Sequence, residues 1–391
     1  MNMRFLHTSD WHLGRSFHGT DLLAEQRVAM DRVVETAKDH GVDAVLVPGD
    51  VYDRALPGTD VVRLLNDTLE RLVGLGVKVV VTSGNHDSAV RLGFGGALMQ
   101  AAGVHLRTDL ERLTDPVVFA DGDQDVLVYG IPYLDPGLTA EVLGADRADG
   151  PAGVTAAATR RIQEHAQVYA HEHRGREVRT VVLAHLFAAG GAETDSERPL
   201  VVGQLGQVPL SVFDGFDYTA LGHLHGAQAP LDSVRYSGSP LPYSFSEAEQ
   251  QKSGLIVDLE PGEPASVTTV AWPAPRALAR LRGKLEDLLV DPAVAKAEEA
   301  WCQITLTDPE RPANPMDRLK TRFPYALELL FEPEGREHDP RSYRQRVRKG
   351  EDPATVALEF VDHVRERKPD EAEARMIRDV VGRAGIQEVS A

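Results

Sequence analysis

Residues 44–53 read AVLVPGDVYD, and this short stretch sets the fold class. Ala44 to Val47 is an unbroken apolar run, the pattern of a strand buried on both faces, and Pro48-Gly49 stops it just before Asp50. On its amino-terminal side, residues 23–39 carry helical periodicity, with Val28, Val33, Val34 and Ala37 among the apolar positions, and residues 4–9 (RFLHTS) form a short strand. On its carboxyl side, Val62, Leu65, Leu69 and Leu72 lie at helical spacings within residues 60–74. The β-branched run VKVVVT over 77–82 then ends at Ser83-Gly84. Strand, helix, strand, helix, strand predicts an α/β fold with a largely parallel start.

Further along, strands are expected at 126–131, 178–184, 218–221 and 255–259, and a helix at 155–173. Pro273 and Pro275 follow the run 267–272 and mark a boundary. Beyond it the pattern resets to a small α+β unit, with strands at 276–282, 302–306 and 326–331 and helices at 284–290 and 316–323. After Pro333 the chain is highly charged, and residues 353–365 and 371–384 read as two short amphipathic helices. The division expected is 1–272, 273–334 and 335–391.

At 391 residues the chain exceeds what one hydrophobic core usually serves. With 42% hydrophobic and 26% charged residues it is not a mainly disordered protein. Its single cysteine, Cys302, excludes an internal disulfide framework, fits a reducing compartment and reads as a core residue. The opening MNMRFLHTSDWH lacks a charged-then-apolar leader pattern, and no apolar run approaches the roughly 20 residues of a membrane span. A cytoplasmic protein with no membrane partner is expected. The net charge of −18 makes the chain alone a poor binder of nucleic acid unless cations or a basic partner reverse the local field.

Five polar blocks each follow a strand candidate: Asp10-Trp11-His12; Gly49-Asp50 with Asp53; Gly84-Asn85-His86-Asp87; His185; and Gly222-His223-Leu224-His225. Ligands of open α/β sheets sit beyond the carboxyl ends of the strands, so all five are expected at one such edge. Carboxylate, imidazole and amide donors together suit Mn, Fe, Zn or Co better than Ca. Asp50, central in the set, is the candidate to bridge two cations, a pair that can activate water and stabilise charge at phosphorus. In an extended segment His223 and His225, two apart, would face the same side. Asp53 either orients a histidine from behind or caps the following turn. Arg15 and Arg91 flank the blocks, for phosphate or for surface ion pairs. His7 is a candidate packed histidine.

The order DxH, GDxxD, GNHD, H, GHxH resembles the calcineurin-like metallophosphoesterase superfamily. The strings HTSDWHLGR, VLVPGDVYDRALP, SGNHDSAVRLGF and YTALGHLH resemble, more narrowly, the D-type nuclease subunits of SbcCD complexes, bacterial relatives of the Mre-type repair nucleases. The resemblance covers most of residues 4–260. It implies an αββα sandwich with a small α+β cap that binds DNA and a helical carboxyl-terminal tail. It implies that Asp10, His12 and His225 hold one metal, that Asn85, His185 and His223 hold the other, that Asp50 bridges them, and that His86 is catalytic. Manganese is the ion implied. The activities implied are a 3′→5′ double-strand exonuclease and an endonuclease at hairpins and blocked ends, serving DNA repair and recombination near the nucleoid. The partners implied are an SbcC-type ATPase in a heterotetramer, double-stranded DNA, and a second copy of the chain. Leu22, Leu23 and Val28 are one candidate surface for that copy, and the tail helices are the candidate for the ATPase coiled coil. The basic residues Arg276, Arg280, Arg282 and Lys284, with Arg341, Arg344, Arg346, Arg348 and Lys349, are candidate DNA contacts. Two rivals remain: a small-molecule phosphodiesterase on the same fold, and a non-catalytic metal-binding scaffold.

Overall fold

The computed structural model describes residues 3–197, 206–334, 352–365 and 368–388. It divides into two units, Met1–Arg276 and Ala277–Ala391. In the first, the strands β1 (Met3–His7), β2 (Ala44–Pro48), β3 (Lys78–Thr82) and β4 (Val104–Arg107) run parallel. Two antiparallel strands, Ser253–Leu259 and Ser266–Ala271, extend this sheet beyond β1 to give six strands. The helices α1 (Leu23–His40) and α2 (Thr59–Gly74) arise where expected. Gly41 ends α1 in a left-handed turn, with φ 58°. On α2 the buried stripe is Val61, Leu64, Leu65, Leu69 and Leu72; Val62 faces outward instead.

The second sheet also has six strands. Its centre is β5 (Gln124–Gly130), β6 (Glu177–His185) and β7 (Tyr218–Gly222), all parallel. The flanking strands Val117–Asp121, Gln228–Leu231 and Val234–Tyr236 carry no alternation long enough to be read from sequence. The helix α3 starts at Gly150, earlier than expected, and runs to Glu172. Phe5, Leu46 and Val80 of the first sheet pack against Val128, Val181, Leu183 and Tyr218 of the second, and this apolar layer joins the sheets. A separate core, including Ile162 and Ala158 of α3 with Val182 and Ala184 of β6, lies on the second sheet's other face. The αββα sandwich is therefore the architecture of this unit.

One polar tie crosses the apolar layer. His7 of β1 is fully buried, its Nδ1 2.9 Å from the Tyr218 hydroxyl and its Nε2 3.1 Å from the Leu221 carbonyl oxygen. Burial pushes its pKa down to about 3, so it is a neutral, packed histidine.

The second unit holds three parallel strands, Leu278–Gly283, Trp301–Leu306 and Ala326–Phe331, with helices Leu285–Val290 and Pro315–Lys320. Its core contains Leu285, Leu288, Ile304, Leu319 and Phe323 with Cys302, whose thiol lies 3.2 Å from the Ala297 carbonyl. The helices Pro353–Arg365 and Glu371–Glu388 contact each other. The basic run Arg341 to Lys349 lies outside the described residues.

Candidate metal centre

Each block emerges from the carboxyl end of a strand, but from two sheets rather than one. Asp10 and His12 follow β1, Asp50 follows β2, and Asn85 and His86 follow β3 in the first sheet. His185 ends β6, and His223 and His225 follow β7, in the second. The strand ends press together closely. A Cβ on Gly222 would stand 1.9 Å from the Pro48 carbonyl oxygen, and one on Gly84 would stand 2.2 Å from Asp50 Oδ1. Glycine is the residue that permits such approach.

The backbone is strained here. Asp10, His12 and Asp50 have φ of 54°, 43° and 49°, and His223 reaches 105°. Side-chain-bearing residues pay for such conformations, which persist where surrounding structure enforces them, often at functional sites. The segment at His223 is consequently not extended, and the reading that His223 and His225 share one face gives way. The His223 ring approaches His185, at 5.4 Å between centroids, while the His225 ring approaches His12, at 4.9 Å.

The hydrogen bonds aim the histidine lone pairs inward. His185 Nδ1 donates to the Pro48 carbonyl oxygen at 3.0 Å, leaving its Nε2 lone pair 2.9 Å from Asn85 Oδ1, another acceptor. Burial lowers the His185 pKa, so its neutral form faces that oxygen. His12 Nε2 and His225 Nε2 stand 3.1 Å apart. His223 Nε2 is buried with no hydrogen-bond partner, 3.8 Å from Glu193. Asp50 Oδ2 lies 3.5 Å from His12 Nε2 and 3.4 Å from His185 Nε2, and its Oδ1 accepts from the His86 backbone N–H at 2.9 Å. Asp10 receives the Ser9 hydroxyl and the His223 N–H. Burial, then the neighbouring Asp50 carboxylate, pushes Asp10 well above the usual carboxylate range. Facing acceptors, an orphaned imidazole nitrogen and two crowded carboxylates fit divalent cations, whose charge would relieve all three. Three groups place their donor atoms within 4.8 Å of one another: Asp10, His12, His225; His12, Asp50, His86; and Asp10, Asp50, His185.

His86 Nδ1 lies 2.9 Å from the Asp53 carbonyl oxygen, and its Nε2 points toward Asp50 at 4.0 Å. The Asp53 carboxylate lies 3.6 Å from His12 Nδ1 and 3.8 Å from Arg15. Arg15 donates to the Ser196 carbonyl at 2.9 Å and lies over the Tyr243 ring, whereas Arg91 reaches the Ala55 carbonyl at 3.4 Å.

Further supports stand around the site, one inside a polar block and the rest outside every block. The Asp87 carboxylate accepts from the backbone of Gly84, Val51 and Tyr52, pinning the GNHD turn to the strand end beside Asp50. Behind His225 stand Ser196, Glu197, Glu247 and Lys252. Burial alone would raise the Glu247 pKa, but the Lys252 ammonium and His225 bring it to about 2. Ser196, Glu197, Glu247 and Lys252 follow no strand candidate and form no spaced motif, so the sequence offered no local signal for them, whereas Asp87 closes the GNHD block.

The sandwich and the site define the class. Residues 3–227 match the calcineurin-like phosphoesterase family, and the chain belongs to it: a family of hydrolases that bind divalent metal. Residues 274–365 match the type 5 capsule protein repressor C-terminal domain. The SbcD component of the SbcCD nuclease of Staphylococcus saprophyticus is 30% identical over 335 residues, 84% of this chain and 84% of its own. Its counterpart in Staphylococcus epidermidis is 30% identical over 329 residues, 84% of this chain and 85% of its own. The chain belongs to this family of SbcD nuclease components. A dimetal phosphatase of known structure from Danio rerio aligns with 69% of this chain and 99% of its own, at 13% identity and a TM-score of 0.41. Among the described residues no helix is long and apolar enough to cross a membrane.

Proposed function

We propose that the chain is the metal-dependent DNA nuclease component of an SbcCD-type complex, acting with an SbcC-type ATPase in a heterotetramer. Its reactions would be 3′→5′ exonuclease cleavage of double strands and endonuclease cleavage at hairpins or blocked ends, in repair and recombination at the bacterial nucleoid in the cytoplasm. The observation that carries this reading is the convergence of buried Asp and His donors from two sheets, with imidazole lone pairs facing one another. In this assignment 1–272 is the nuclease domain, 273–334 the DNA-binding cap and 335–391 the partner-binding tail.

Asp10, His12 and His225 would hold one divalent ion, Asn85, His185 and His223 the other, and Asp50 both, with manganese as the ion. Two such cations activate water and offset the charge that develops at phosphorus. The central position of Asp50 Oδ2 between His12 and His185 supports its bridging role. With its Nδ1–H committed to the Asp53 carbonyl, His86 would give a proton to the leaving oxygen from Nε2 as the imidazolium, protonated on both nitrogens, and return to the neutral Nδ1–H tautomer. The Asp53 carboxylate, 3.6 Å from a His12 Nδ1 that has no hydrogen-bond partner among the described residues, would orient that ring from behind by its charge.

In the cap, Arg282 and Lys284 already pair with Glu332 and Glu334, which reduces the charge they can offer DNA. Met376 and Val380 of the last helix are 69% and 61% exposed, which supports docking of the tail on an apolar coiled-coil surface. For a second copy of the chain, Leu22 is unsuitable because it is buried. Leu23 is half-buried and Val28, 39% exposed, stays available there, and Val90, Phe94 and Leu98, 85%, 84% and 82% exposed, offer a further apolar surface.

The test is cleavage of an end-labelled duplex by the purified chain with manganese, beside EDTA and an Asp50→Ala control. Bis-p-nitrophenyl phosphate is run in parallel. Metal-dependent cutting, reduced about 10³-fold or more in the variant, is expected by analogy with the loss of other preorganised charge stabilisers. Turnover of the small ester with no DNA cleavage, even with the ATPase added, would favour the small-molecule reading. Silence on both despite bound metal would favour a scaffold.

A further inference from the structure

We infer that Ser196 is a positioning residue for the metal centre, fixing the tautomer of His225 through a buried chain that runs Ser196, Glu247, Lys252; the inference rests on the binuclear reading above. Ser196 Oγ lies 2.6 Å from His225 Nδ1 and 2.5 Å from Glu247 Oε1. A hydroxyl has one proton, and a carboxylate can only accept, so Ser196 donates to Glu247 and accepts from His225 Nδ1–H. The His225 lone pair is thereby confined to Nε2, the atom facing His12 Nε2 at 3.1 Å.

The rest of the chain keeps Glu247 in the role of acceptor. Lys252 Nζ binds Glu247 Oε2 and also donates to the His225 carbonyl oxygen at 2.8 Å and to Ser239 Oγ at 3.1 Å. Glu197 Oε1 accepts the His225 backbone N–H at 2.8 Å. His225, Ser196, Glu247 and Lys252 are 1%, 9%, 1% and 4% exposed, so water has little access to replace any link. A buried Lys–Glu pair alone would serve packing. Here it terminates on a hydroxyl that also meets His225 Nδ1, an atom of a ligand candidate. His185 obtains the same orientation from a backbone carbonyl, which no side-chain substitution removes. His225 depends on side chains: Ser196 Oγ at 2.6 Å is the nearer partner of its Nδ1, with Glu247 Oε1 at 3.5 Å behind it.

The experiment is calorimetric titration of the metal-free full-length chain with Mn²⁺, and visible absorption with Co²⁺, for wild type, Ser196→Ala and Ser196→Thr. The wild type should bind two ions. Ser196→Ala should weaken one of them by about 10–100-fold, the usual cost of losing such an outer partner, and leave the other nearly unchanged. The Co²⁺ spectrum should change in Ser196→Ala, and Ser196→Thr, which keeps the hydroxyl, should restore both readouts. Unchanged affinities in Ser196→Ala would overturn the assignment. So would a threonine variant as weak as alanine, because the site would then be sensing packing and not the hydroxyl. A wild-type chain that fails to take up two ions would instead overturn the binuclear reading itself, before any variant is compared.

Discussion

Both units of the molecule place a parallel sheet beside helices, yet their strand ends differ. In the first unit the ends of β1 and β2 turn through left-handed backbone at Asp10, His12 and Asp50, and the side chains there are buried. In the second, strand Leu278–Gly283 runs into Lys284, and the charges around that edge pair in solvent: Arg282 with Glu332, Lys284 with Glu334. The carboxyl edge of a parallel sheet is thus not enough to build a reactive site. What the first unit adds is a second sheet pressed against it, which buries the polar ends and enforces the strained turns.

That contrast can be broken at its centre. His86→Ala should slow phosphodiester hydrolysis by about 10²–10⁴-fold, the range for loss of a general acid, while bound metal measured by elemental analysis stays at the wild-type level. Loss of metal together with activity would move His86 from proton donor to ligand.

Two glycines sharpen the comparison. Gly222→Ala would drive a Cβ into the Pro48 carbonyl at the contact between the sheets and should cost about 1–3 kcal/mol or more in urea denaturation. Gly283→Ala, at the matching strand end of the second unit, would have side-chain atoms of Leu288 as its nearest neighbours, the closest at 3.3 Å, and should cost less than that. Equal costs would show that the close approach at Gly222 is not special.

The apolar layer between the sheets predicts a pH effect through His7. Its folded-state pKa is about 3, against 6.5 for an ordinary histidine, because burial disfavours the charged ring. Between these values the unfolded chain binds a proton that the folded chain does not. Its contribution to stability is complete above pH 6.5 and falls as pH drops, by about 1.4 kcal/mol per pH unit at most. Denaturation midpoints of wild type and His7→Phe should therefore converge as pH falls from 6.5 toward 3. Parallel curves would mean the ring is not held neutral. The smallest effect is expected for Arg282→Ala. Its exposed ion pair should be worth under about 1 kcal/mol, and hydrolysis of the small ester should be unchanged.

The α/β class, most element positions in the first unit and every proposed ligand were legible in the sequence. Apolar runs such as Ala44 to Val47 end abruptly at Gly-Asp or Gly-Asn, and that signal is local. The tail helix that begins at Glu371 and the three-strand pattern after Arg276 were legible for the same reason. The short flanking strands were not, because their pairing is set by the sheet they join. The division of the five blocks between two sheets was also invisible to periodicity, since both sheets read as the same alternation of strand and helix; the family resemblance implied two sheets but not which blocks each would carry.

Tertiary structure alone decided how the site is held. His12 faces His225 across 213 residues, and His225 leans on Ser196 and, through it, on Glu247, contacts of 29 and 51 residues in separation. The sequence by itself determined which atoms could bind metal, because donor chemistry belongs to residue types. It did not determine which lone pairs face one another, because that follows from two sheets packed face to face with their strand ends together, and from buried partners that no spacing rule connects.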